Sequence, residues 1–151
     1  LLESPHPQID NAEIDMQIPE TTKTPGLIFE FKYDVKRQSV MPHPLKAGSL
    51  FADIFRLYLY KKNNQNTRCF LVYVTDYQMA NYLSRDRNRL DDFFNLQPNQ
   101  ELTIKEEYVR NHSETFVKQA SKYGIQDCII KSCLNNDLAE SHFVRIYEIF
   151  C

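Results

Sequence analysis

Two carboxylates and one amine are spaced in this chain so that they can meet. Asp15 lies in Ala12-Glu13-Ile14-Asp15-Met16-Gln17-Ile18, and Glu30 and Lys32 lie in Leu27-Ile28-Phe29-Glu30-Phe31-Lys32-Tyr33. Both segments alternate polar and apolar residues, the period of a half-buried strand. The first puts Ile14, Met16 and Ile18 on one face and Glu13, Asp15 and Gln17 on the other. The second sets Phe29, Phe31 and Tyr33 against Glu30 and Lys32. If the strands pair with their polar faces on one side, the three groups converge. Two hard oxygen donors can hold magnesium, and an adjacent ammonium can orient a water and balance the charge of a phosphate. The plainer alternative is three solvated residues on the outer face of an antiparallel pair.

Asp15, a connection containing Pro19 and Pro25-Gly26, and then Glu30-x-Lys32 resemble the PD-(D/E)XK nuclease superfamily, which includes restriction endonucleases, junction resolvases and repair nucleases. The motif spans residues 15 to 32. The helical stretch 49–62 and the apolar run Cys69-Phe70-Leu71-Val72-Tyr73-Val74 follow in the order that superfamily's core requires. The resemblance implies an α/β fold with a restriction endonuclease-like mixed β-sheet flanked by helices. It implies Mg2+ or Mn2+ held by Asp15, Glu30 and the backbone carbonyl of Phe31, with Lys32 positioning the attacking water. The activity implied is metal-dependent phosphodiester hydrolysis, as a DNA endonuclease in restriction or repair, in the cytoplasm, with a homodimer able to cut two strands. The chain departs from the pattern at Ile14, which stands where the motif's name has Pro. The superfamily core also begins with a helix, and only eleven residues precede the first strand here.

Other residues have two readings each. Glu13 shares a face with Asp15 and is either an accessory ligand or a surface acid; Asp10 is an alternative to Asp15. Tyr33, Lys36 and Arg37 either contact phosphate or form an exposed basic strand end. Asp53 and Arg56, three apart on a helix, read first as an ion pair; the resemblance implies instead that Arg56 or Asp53 turns toward the site. His43 lies in a loop between prolines. Arg85, Arg87 and Arg89 flank Asp86 and end near Asp91 and Asp92, which reads as self-neutralising surface charge or as a backbone contact to DNA.

Composition bounds these readings. A chain of 151 residues with 42% hydrophobic and 13% aromatic residues suggests one globular domain spanning 1–151. Three glycines leave no Gly-rich phosphate loop. A net charge of −2 does not itself favour a nucleic-acid binder, so any such contact rests on local basic clusters. Cys69, Cys128, Cys133 and Cys151 form no Cys-x-x-Cys pair and read as reduced thiols in a cytoplasmic protein. No apolar stretch reaches membrane-spanning length. The chain opens on Leu1 rather than Met, which leaves open what precedes it.

The positioning elements follow from the same pattern. Strands are expected at 12–18, 27–35, 69–74, 127–132 and 142–150, with the last two joined through Asn135-Asn136-Asp137. Helices are expected at 49–62 with Ser49 as N-cap, at 76–94 with one interruption, and at 113–123 with Gly124 as the stop. Residues 102–109 read either as a strand or as a Thr103–Glu106 capping box opening a helix. The order suggests a mixed sheet with helices on both faces and a run at 69–74 covered on both sides. A non-catalytic nucleic-acid- or protein-binding module, and an unrelated α/β domain with a fortuitous motif, are the competing functions.

Overall fold

The computed structural model describes residues 4–6, 9, 13–35, 41–138 and 141–151. Two short strands, β1 (Ser4–Pro5) and β2 (Glu13–Ile14), form a small antiparallel ladder. Then come β3 (Met16–Ile18), β4 (Gly26–Asp34), α1 (His43–Asn63), β5 (Thr67–Asp76), α2 (Tyr77–Ser84), α3 (Asp91–Phe94), β6 (Glu101–Ile104), α4 (Glu106–Arg110), α5 (Glu114–Ala120), β7 (Cys128–Leu138) and β8 (His142–Phe150). Six strands make a mixed sheet in the order β3-β4-β5-β8-β7-β6. Among the described strands only β4 and β5 run parallel, and α1 is the crossover that such a pair needs. No helix precedes β3 among the described residues. None of the described helices is long and apolar enough to cross a membrane.

Several boundaries moved from expectation for local reasons. The strand foreseen at 12–18 breaks at Asp15, a bend between β2 and β3. Helix α1 begins at His43, six residues before Ser49, because Pro44 falls in its first turn, where a missing N–H costs nothing. Ser49 is therefore an interior residue rather than a cap. The stretch 76–94 splits into α2, a 3-10 turn (Asp86–Asn88) and α3, with Arg89 left-handed at φ 53°. Asp76 caps α2 by accepting from the Met79 N–H at 3.0 Å. The Thr103–Glu106 capping box does not form: Thr103 belongs to β6, and the Glu106 N–H donates to Asp127 Oδ1 instead. Ser113 caps α5, and a following 3-10 turn (Ser121–Tyr123) stops at Gly124, φ 85°. Asn135-Asn136-Asp137 continue β7 past an irregularity at Ser132/Leu134 rather than ending it.

Buried side chains from all five helices join Ile28, Cys69, Leu71, Tyr73, Ile104, Cys128, Ile130, Tyr147 and Ile149 in one apolar cluster. These are alternate strand positions, so this cover lies on one face of the sheet. Val72 and Val74 point to the other face and are half-buried. Among the described residues, the cover expected on both sides of the β5 run is present on one.

Helix α1 approaches α5 at Gly48. A Cβ there would come within 2.6 Å of the Phe116 carbonyl oxygen and 2.8 Å of Gln119 Cβ. Replacing Gly48 by Ala therefore forces the helices apart and is expected to lower stability by about 1–3 kcal/mol. Urea unfolding measures this, and an unchanged midpoint would show that the helices separate without cost.

Candidate functional site

Strand β4 carries its charges inward. Ile28, Glu30, Lys32 and Asp34 face α1, while Phe31 and Tyr33 are 52% and 54% exposed. This inverts the solvated-face reading: Glu30 is 2% exposed and Asp34 8%. The outward rings pack on one another instead, with Phe29 stacked on Phe70 at 5.2 Å.

Helix α1 supplies the partners. Ser49, Asp53 and Arg56 recur at helical spacing and form a single stripe. Lys32 Nζ donates to Ser49 Oγ at 2.7 Å and lies 3.3 Å from Asp53 Oδ2. Arg56 Nη2 donates to Glu30 Oε2 at 2.7 Å and lies 3.4 Å from Asp53 Oδ1. Beyond them, the Arg56 carbonyl meets His6 Nε2 at 3.2 Å, and the Tyr60 hydroxyl accepts from Gln17 Nε2. The N-terminal segment thus packs along the same stripe.

Asp15 arrives from the opposite side. The β3 pairing ends at Met16 opposite Phe29, which leaves the next part of the β4 edge to the Asp15 side chain. Its Oδ2 accepts the Phe31 N–H at 2.7 Å. A strand residue's N–H and C=O leave by the same edge, so the Phe31 carbonyl lies along the edge that Asp15 occupies. Asp15 is also within hydrogen-bonding reach of Glu30.

The electrostatics follow from this crowding. Burial, opposed by Arg56 and reinforced by the nearby Asp15 and Asp53, pushes the Glu30 carboxyl up to about 8. Burial also raises Asp34, against the opposing pull of Lys32 and the Tyr73 hydroxyl, which donates to Asp34 Oδ2 at 3.1 Å. Burial works against the charge of Arg56, but Glu30 and Asp53 outweigh it and hold its pKa above the usual value. Glu30 Oε1 is buried without a hydrogen-bond donor. A proton shared with Asp15, or a cation between the two acids, would satisfy it.

Among the described residues, no group of three or more His, Cys, Asp or Glu side chains is placed to hold a metal. The candidate set is smaller, two carboxylates and a backbone carbonyl. Magnesium suits such a set, since it commonly binds one or two carboxylates and takes its other ligands from water and substrate phosphate. The orphaned Glu30 oxygen fits that use.

Asp15, Glu30, Lys32 and Arg56 are thus brought together. Glu13 lies exposed on β2 opposite Pro5, outside this network. The Phe31 and Tyr33 side chains point to the other face, so only the Phe31 backbone takes part. Lys36, Arg37 and Asp10 lie outside the described residues. His43 sits in the first turn of α1 with its ring 5.2 Å from Tyr82, away from the acids. Sequence reasoning missed Asp34 and Ser49 and gave Asp53 little weight. The signals were present: Asp34 continues the alternation of Glu30 and Lys32, and three polar residues at helical spacing interrupt an apolar helix.

No family model, curated protein or solved structure matches this chain. The functional reading rests on the motif spacing and the geometry together.

Because Glu30 is raised above its unfolded value, it favours folding while protonated. That contribution is fully present below about pH 4.5 and is lost as pH rises through about 8. Between pH 5 and 8.5 the wild type is expected to lose stability relative to Glu30→Gln, which holds the neutral form. Parallel urea-unfolding curves for the two proteins would contradict the placement of Glu30.

Proposed function

We propose that this chain is a metal-dependent nuclease of the PD-(D/E)XK type, acting on DNA phosphodiesters. The observation that carries the reading is the meeting of Asp15 with a buried Glu30 whose second oxygen lacks a donor, with Lys32 on the same face of β4. The chain path supports it: β3 and β4 form an antiparallel pair, α1 crosses over, and β5 returns parallel to β4.

Asp15 and Glu30 would hold Mg2+ or Mn2+, with the Phe31 carbonyl as a further ligand. When bound, the ion supplies Lewis-acid polarisation of the phosphate and lowers the pKa of a bound water. The chain's own groups do the positioning. Ser49 and Asp53 fix the Lys32 ammonium, which orients the water and balances charge developing on the phosphate. Asp15 fixes the Phe31 backbone and thereby the strand edge beside Glu30. Restriction or repair in the cytoplasm, with a homodimer cutting two strands, belongs to the same reading.

One observation favours a second reading, a nucleic-acid- or protein-binding module without catalysis. Arg56 already occupies one Glu30 oxygen at 2.7 Å, as it would where no metal is needed.

Cleavage of plasmid and single-stranded DNA separates the two. With Mg2+ or Mn2+ the wild type is expected to cut, and EDTA to stop it. Lys32→Ala is expected to slow cutting by about 100-fold or more, and Glu30→Ala to abolish it, with both variants folded by circular dichroism. A folded wild type that binds DNA in a salt-dependent way but never cuts it would establish the second reading.

A further inference from the structure

Arg56 is an unusual neighbour for a metal-binding carboxylate. Its side chain is 15% exposed and lies within 2.7 Å of Glu30 and 3.4 Å of Asp53. The Tyr123 ring centroid is 5.7 Å from the guanidinium carbon. It is a fixed positive charge in a poorly solvated place, where Coulomb forces are strong.

The charge count around it has a consequence. Metal ligation requires ionised carboxylates. In that state Asp15, Glu30 and Asp53 are three negative charges set against Lys32 and Arg56. Asp34 and Lys46, which act on one another beside Lys32, cancel. Among the described residues one net negative charge remains, and a divalent cation would turn it into one net positive charge. A phosphodiester carries the single negative charge that restores neutrality. It also brings oxygens to a cation for which the described residues offer only two carboxylates and one backbone carbonyl.

Resting on the nuclease reading, we propose that Arg56 is a resident counter-charge that couples the divalent cation to the phosphodiester, so that the two load together and each loads poorly alone. Coupling of this kind is reciprocal: the substrate tightens the metal by the same factor as the metal tightens the substrate.

The test is Mn2+ binding to the full chain, by calorimetry or by electron paramagnetic resonance of free Mn2+. It is run without DNA, with a short single-stranded phosphodiester oligonucleotide, and with the same oligonucleotide carrying uncharged methylphosphonate linkages; each oligonucleotide alone is the blank. The phosphodiester strand is expected to tighten Mn2+ by about tenfold, and the methylphosphonate strand to leave it unchanged. Arg56→Gln is expected to bind Mn2+ about tenfold more tightly without DNA and to lose the coupling, whereas Arg56→Lys retains it. Equal wild-type affinity with and without the charged strand, or DNA-free affinity in Arg56→Gln equal to wild type, overturns the proposal and leaves the nuclease reading standing. Absence of Mn2+ binding under every condition sinks both. If Arg56→Gln does not fold, the wild-type contrast between charged and neutral strands, together with Arg56→Lys, decides.

Discussion

The arrangement depends on one buried contact, the Arg56 guanidinium donating to the Glu30 carboxyl. A carboxyl this deeply placed is costly unless a partner reaches it, and the partner comes from α1. That contact fixes the rotation of the helix. With Ser49, Asp53 and Arg56 turned toward β4, Leu50, Phe51, Ile54, Phe55 and Leu57 are turned into the apolar cluster. Gly48 then faces α5, close enough that a side chain would not fit. One polar contact thus sets both the inner packing of the helix and its neighbour.

The same contact explains the inverted strand. Side chains alternate across a strand, so shifting its register by one residue would exchange its faces. On apolar content alone, Phe29, Phe31 and Tyr33 should turn toward the helices. They turn away because the stripe on α1 satisfies charges and would leave rings against polar atoms. The rings then stack among themselves, Phe29 with both Phe31 and Phe70. Neither strand nor helix alone fixes the orientation; their complementarity does.

This limits what the sequence could disclose. The alternation at residues 27–33 and the meeting of Asp15, Glu30 and Lys32 were legible, as were the mixed α/β architecture and most strands. The side on which the charges lie was not, because periodicity gives a face without saying what covers it. Ser49 read as a cap because the prolines before it looked like loop residues, although a proline in a first turn is compatible with helix. Asn135-Asn136-Asp137 read as a connection because their types favour turns; cross-strand pairing to Arg145, Val144 and Phe143 overrode that preference. Asp53 does not stand out in the sequence because a helical acid three residues from an Arg has a sufficient local explanation, and only the fold brings Lys32 to its other oxygen.

Asp15 stands apart from its partners in how it arrives. Glu30, Lys32, Ser49, Asp53 and Arg56 belong to the contiguous unit β4–α1–β5, which contains its own crossover and a large share of the core. Asp15 comes from a segment whose strands are two and three residues long, and it is held through its side chain to a strand edge that the unit itself supplies. Cooperative units of this kind open and close with different free energies, and short flanking ladders lie at the low end. The contact that brings the second carboxylate to Glu30 therefore rests on strands of two and three residues, outside the unit that holds the other five side chains.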